Sequence, residues 1–158
     1  MRFNKVSRTL LGLCNFHIKR KLNGSTVHIP VTSGLKCGIS GEKWMSELLK
    51  ILLEIQKGTF LDIGVNLGQT LIKLKSIEPG RSYVGIEPNT NCVFYLRKLI
   101  KRNQWPNTEL IPVGLFNETC LLQLTGNNEY DGQSTVIDEF KPGAKGKTGV
   151  SQTVPLLA

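Results

Sequence analysis

Two acids and two glycines are the residues best placed to do chemistry. In "TFLDIGVNLGQT" (Thr59 to Thr70) an apolar run ends on Asp62, and Gly64 and Gly68 follow it. In "SYVGIEPN" a second apolar run ends on Glu87. An acid at the tip of a strand, directly before a glycine-rich turn, stands where a sheet meets a ligand. Gly64 lets backbone approach that ligand, and Gly68 lets the next helix start close to the strand. Asn66, between them, can accept or donate a hydrogen bond at the helix entrance.

The spacing limits what the turn can hold. A dinucleotide site has the pattern G-x-G-x-x-G and rests a pyrophosphate on the helix N-terminus. Here the spacing is G-x-x-x-G, with no glycine in the middle position. A carboxylate beside a pyrophosphate is repelled by roughly 1–4 kcal/mol at surface-like dielectrics. A ligand with an ammonium group and a sulfonium centre is attracted instead. S-adenosylmethionine carries both, and its carboxylate suits the helix N-terminus. Glu87, roughly 20 residues beyond the turn, can accept hydrogen bonds from two ribose hydroxyls, a role that nucleotide binders share. Taken together, Asp62, the missing glycine and Glu87 favour S-adenosylmethionine over an NAD(P) cofactor.

The elements that position these residues read as an alternation of strands and helices. "KLNGSTVHIPV" predicts a hairpin turning at Asn23-Gly24, with His28 on the sheet surface. "GEKWMSELLKILLEIQKG" predicts an amphipathic helix burying Met45, Leu48, Leu49, Leu52 and Ile55, with Gly58 as its stop. "TFLDIG" is a strand, and "NLGQTLIKLKSI" a helix with Leu71, Ile72 and Leu74 inward. "SYVGIE" is a second strand, apolar enough to be covered on both faces. "NCVFYLRKLIKRN" predicts a helix burying Val93, Leu96, Leu99 and Ile100, with Arg97, Lys98, Lys101 and Arg102 outward. "ELIPVGLF" is a third strand, confined to a sheet edge because Pro112 has no N–H to donate. "CLLQLTG" and "SQTVPLLA" are further strands, joined by a polar, glycine-rich stretch. The β-α-β-α-β order predicts a parallel sheet with right-handed crossovers, a doubly wound α/β fold.

Composition fits one ordinary domain: 158 residues, 40% hydrophobic and 20% charged. The formal charge of +8 is uneven, for no acid precedes Glu42 while Arg2, Lys5, Arg8, Lys19, Arg20, Lys21 and Lys36 do. Such a leader suits nucleic acid, an anionic membrane surface or plain solvation. Cys14, Cys37, Cys92 and Cys120 lie far apart with no CxxC pair, so neither a zinc site nor a disulfide framework is expected. His17 reads as a surface residue of the leader. No run approaches the roughly 18 apolar residues of a membrane helix, and the working expectation is a soluble, cytoplasmic protein.

"GTFLDIGVNLGQT", "YVGIEPN" and "LIPVGLF", with Ser134 in the following loop, together resemble the FkbM-type methyltransferases. Their D-I-G-x-N-x-G and G-I-E-P-N elements carry the resemblance, which runs from about Gly41 to the C-terminus. It implies a Rossmann-like class I fold of sheet order 3-2-1-4-5 and S-adenosylmethionine as methyl donor. It places Asp62, Gly64, Asn66 and Gly68 in the donor loop, Glu87 on the ribose, and Val113 and Gly114 near the adenine. The acceptor implied is a hydroxyl oxygen of a small molecule or sugar, and no residue stands out as the base. Residues 1–40 then read as a basic leader with a hairpin, and 41–158 as the methyltransferase domain. Val65 stands where the family often has alanine. "QTVPLLA" resembles the strand that precedes a K-I-D-x-E-G strand in the family, so the later core strands are expected to be missing, leaving a truncated, donor-binding half. A basic nucleic-acid or membrane-surface module, and an NAD(P)-binding domain, are the alternative readings.

Overall fold

The computed structural model describes residues 17–31, 43–126 and 150–158. The readings made on Arg2, Lys5, Arg8, Cys14, Lys36, Cys37 and Ser134 lie outside these residues. A hairpin opens the described chain, with β1 (His17–Leu22) and β2 (Ser25–Pro30) paired antiparallel about Asn23-Gly24, as the turn pair predicts. It begins four residues earlier than expected, so His17 is part of a strand. Helix α1 (Lys43–Ile55), strand β3 (Phe60–Ile63), helix α2 (Gln69–Ile77), strand β4 (Tyr83–Ile86), helix α3 (Thr90–Asn103) and strand β5 (Thr108–Ile111) follow in alternation.

Strands β3, β4 and β5 form a parallel sheet in that order, with Phe60, Tyr83 and Thr108 in register. This is the α/β, Rossmann-like arrangement expected, with β5 at an edge. "ELIPVGLF", however, is not one strand. Pro112 interrupts it, and the chain resumes as β6 (Gly114–Leu115) in a second sheet with β7 (Cys120–Gly126) and β8 (Val150–Leu157), in the order β6-β8-β7. Strand β8 therefore pairs parallel with β6 and antiparallel with β7.

One face of the parallel sheet carries the core. Leu71, Ile72 and Leu74 of α2, Val93, Tyr95, Leu96 and Leu99 of α3, and Leu49 and Leu53 of α1 pack there with Tyr83. The hairpin's Val27 and Ile29 join the same cluster. The opposite face is open among the described residues: Leu61 is 56% exposed and Ile63 61%. Val84 and Ile86 of β4 are half-buried, so among the described residues the strand is covered on one face only. The described helices all lie on the side of Tyr83.

Helix α1 also differs from its predicted face. Ser46, Leu49 and Leu53 are buried, whereas Leu48, Leu52 and Ile55 are exposed and Met45 is half-buried. The helix packs along a narrow seam beside α2, which takes one row of side chains rather than a broad stripe. In α3, Ile100 is half-buried, and Cys92 and Tyr95 take places in the buried face that the periodicity did not assign.

Two buried cations pin the helix ends. Lys75 donates to the carbonyls of Pro79, Arg81 and Pro106 at 2.7–3.2 Å, satisfying the three donors of an ammonium. Burial pushes its pKa down. Arg81 reaches the Leu53 carbonyl at 2.9 Å and the Gly58 carbonyl at 3.1 Å, closing the C-terminal end of α1, and pairs with Glu78 at 2.8 Å. Among the described residues no helix is long and apolar enough to cross a membrane.

Candidate functional site

The C-terminal ends of β3 and β4 converge on the turn between Gly64 and Gly68. The N–H groups of Gly64 and Val65 both donate to the Ile86 carbonyl, at 2.9 and 3.3 Å, so the turn is bound to the tip of the neighbouring strand. Gly85 leaves room for it, since a Cβ there would lie 2.7 Å from Val65 Cγ2. Val65 itself is buried, which accounts for a side chain larger than alanine at that place.

Gly68 is where the turn becomes helix α2. Its φ of 79° is left-handed, and an added Cβ would sit 2.7 Å from Leu96 Cδ2 of α3. Both facts select glycine. It is also the N-cap, without a side-chain cap hydrogen bond, so the first-turn N–H groups of α2 stay available to an anion. Asn66 was expected at this entrance. It lies two residues earlier, with φ 51°, and its main-chain N–H serves the site instead.

That N–H donates to Glu87 Oε2 at 2.7 Å, while the N–H of Asn89 donates to Oε1 at 2.8 Å. The buried Glu87 carboxylate thus ties the β3–α2 turn to the start of α3. Each oxygen retains a lone pair for a further donor. Asn89 in turn caps α3, its Oδ1 accepting from the N–H groups of Asn91 at 3.0 Å and Cys92 at 3.3 Å.

Asp62 accepts a 2.6 Å hydrogen bond from the Tyr83 hydroxyl through Oδ2. The tyrosine ring is buried and stacks on Phe60, with centroids 6.1 Å apart. Asp62 is therefore held on the covered face of the sheet, half-buried, with Oδ1 left to another partner.

The electrostatics of the two acids are uniform in sign. Burial pushes the Asp62 carboxyl above the usual carboxylate range, and the Tyr83 bond pulls part of the way back. Burial does the same to Glu87; the Asn89 and Asn66 N–H groups oppose it, and the negative charge of Asp62 adds to it. The Tyr83 hydroxyl is raised by burial and by Asp62. Cys92 is pushed up to about 12 by burial and the charge of Glu87, so it stays a thiol, with Sγ 3.7 Å from Asn66 Oδ1. Two mutually repelling carboxylates in a half-dry mouth favour a cationic occupant.

Val113 and Gly114 lie just beyond β5, whose Ile111 carbonyl accepts from the N–H groups of Glu87 at 3.1 Å and Val113 at 2.9 Å. Gly114 is buried against Pro88, and Leu156 of β8 fills the space its Cβ would take. The structure thus gathers Asp62, Gly64, Asn66 and Glu87 at one mouth, sets Gly68 at its floor, and brings Val113 and Gly114 beside the Glu87-Pro88 segment. Sequence reasoning missed Tyr83, Asn89 and Cys92. The alternation Tyr83-Gly85-Glu87 placed the tyrosine on the acid's face, and "NTNC" has the pattern of a helix cap; Cys92 gave no signal.

No protein-family model matches the chain, and no curated protein matches it. Several solved structures do. The tRNA (uracil-54, C5)-methyltransferase of Pyrococcus abyssi, in complex with S-adenosyl-L-homocysteine, is 17% identical over 60% of this chain and 23% of its own, with a TM-score of 0.45. The 16S rRNA N2 G1207 methyltransferase of T. thermophilus, in complex with AdoMet and guanosine, is 20% identical over 61% of this chain and 27% of its own, with a TM-score of 0.46. The M. jannaschii tRNA m1G37 methyltransferase is 15% identical over 71% of this chain and 44% of its own, with a TM-score of 0.41. The chain spans about a quarter of the length of the first two.

Proposed function

We propose that this chain is the donor-binding part of an S-adenosylmethionine-dependent methyltransferase of the FkbM type, acting on a hydroxyl oxygen of a small molecule or sugar. The observation that carries the donor assignment is the meeting of the buried Glu87 carboxylate and the half-buried Asp62 carboxylate with an uncapped helix N-terminus in one mouth. That set suits a molecule with positive charge at one point and a carboxylate at another. A dinucleotide would bring its negative pyrophosphate up to the negative Asp62. The O-methyl acceptor rests on the sequence resemblance alone.

When bound, the donor supplies an electrophilic sulfonium methyl. The chain's own part is orientation and desolvation. Glu87 offers a lone pair on each oxygen to neighbouring ribose hydroxyls, its position fixed by the Asn66 and Asn89 N–H groups. Oδ1 of Asp62 faces the cationic portion, with the carboxylate steadied by Tyr83. The first N–H groups of α2 receive the donor's carboxylate. Val113 and Gly114 border the adenine. A hydroxyl acceptor also needs a base to take its proton, and we assign no residue to that role.

Titration calorimetry of the purified chain against S-adenosylmethionine, with NAD⁺ as the control, tests the reading. Saturable heat with the sulfonium ligand is expected. Tighter binding of the dinucleotide would sink the assignment.

A further inference from the structure

We propose that the outer surface made by α3 and the hairpin is a docking face for single-stranded RNA. The four cations of α3, Arg97, Lys98, Lys101 and Arg102, lie on its outer side while Val93, Leu96 and Leu99 point into the core. On β1, Lys19, Arg20 and Lys21 are exposed. The two elements are bolted into one surface at the C-terminal end of α3. Asn103 exchanges hydrogen bonds of 2.8 and 2.7 Å with the main chain of His28, and Arg102 approaches His17 Nε2 at 2.9 Å. Residues 17–31 and 90–108 contain no aspartate or glutamate. A solvated helix face ordinarily mixes both signs, as α1 does with its Lys50–Glu47 pair. Here the segregation is complete.

Two further features favour a nucleic acid over an anionic membrane. Phe94 is 57% exposed, one turn before Arg97 and Lys98, and the Lys98 ammonium sits 4.4 Å from its ring centroid. A solvent-facing aromatic among cations is the arrangement on which bases stack while phosphates are neutralised. Beside it, Arg97 and Lys101 flank an open groove of about 220 Å³ floored by Ile100 and Leu110. A helix that lies in a membrane must insert its apolar side, and the apolar side of α3 is already buried in the core.

This inference stands apart from the donor site, because RNA binding is read without any donor present. The full chain is titrated into a labelled 20-nucleotide single-stranded RNA of mixed sequence, by fluorescence anisotropy, across a salt series. Expected is a log–log salt slope of about −3, as for roughly four neutralised phosphates. An R97Q/K101Q double variant is expected to lower the steepness of that slope by about 1.4, as for two phosphates, and weaken binding roughly tenfold. F94A is expected to weaken binding roughly tenfold with the slope unchanged. These side chains are exposed, and the melting temperature of each variant checks that it folds. The proposal is overturned by absent binding at low salt, by binding that the α3 variants leave intact, or by capture on phosphatidylserine vesicles without RNA affinity.

Discussion

The mouth at the strand tips and the outer flank of α3 are electrostatic opposites built a helix-width apart. At the mouth two acids are drawn out of water, repel each other and are held by neutral N–H and O–H donors. On the flank, cations stay in water with no acid on the same elements. The first arrangement raises the free energy of the empty site and gives selectivity for one small cation-bearing ligand. The second costs little to fold and gives long-range attraction without shape selection. One helix separates them. Its cap, Asn89, touches Glu87, its inner face touches Gly68, and its outer face carries the cations.

Gly68 is the point at which the two regions meet, and its substitution has the largest expected effect. Gly68→Ala combines a left-handed φ with a Cβ 2.7 Å from Leu96, so a loss of about 2–4 kcal/mol is expected. Chemical denaturation measures it, and a change below 1 kcal/mol would mean that α2 and α3 can part freely. Glu87→Gln acts on the mouth alone. It removes the charged acceptor of the ribose and of two N–H groups, and donor affinity should fall about 10- to 100-fold, or roughly 1.5–3 kcal/mol. Tyr83→Phe takes the hydroxyl from Asp62 and should cost about 1 kcal/mol of stability. Because that hydrogen bond holds the Asp62 pKa down, its removal should move the carboxyl titration, followed by NMR, further upward.

The pH dependence of the mouth has a definite sign. Asp62 and Glu87 have pKa values raised on folding, so their contribution to stability is full below the ordinary carboxylate values of 3.8 and 4.5 and is lost as pH rises through the raised ones. A cationic donor reverses that penalty. The thermal shift it produces should therefore grow as pH rises from about 4 to 7, whereas an anionic ligand would show the opposite trend. The smallest effect is expected on the flank: Lys101→Gln should change stability by no more than about 0.5 kcal/mol and leave donor affinity as it was.

Much of this was legible in the sequence, for identifiable reasons. Asn23-Gly24 named its turn because two successive residues with positive φ select that pair. Pro112, which lacks an N–H, was expected inside an edge strand; the strand is at the edge, but Pro112 ends it rather than joining it. The glycine turn and the strand-end acids were visible because strand tips and turns leave compositional traces. Facing was harder. Whether Leu52 or Leu53 of α1 is inside depends on a neighbour, α2, that the helix's own periodicity does not encode. The open face beneath Leu61 and Ile63 was hidden likewise, since an apolar strand reads the same whether one face is covered or two. Lys75 and Arg81 were illegible as core residues, because their burial depends on carbonyls from three separate segments.

The role of Asp62 is tested most directly by titrating Asp62→Asn, a change of charge with almost no change of shape, against S-adenosylmethionine and NAD⁺ in parallel. The sulfonium ligand should bind about tenfold more weakly than to the unaltered chain, and the dinucleotide equally or better. Unchanged affinity for the sulfonium ligand, or a dinucleotide that loses affinity with the charge, would contradict a mouth built for a positively charged methyl donor.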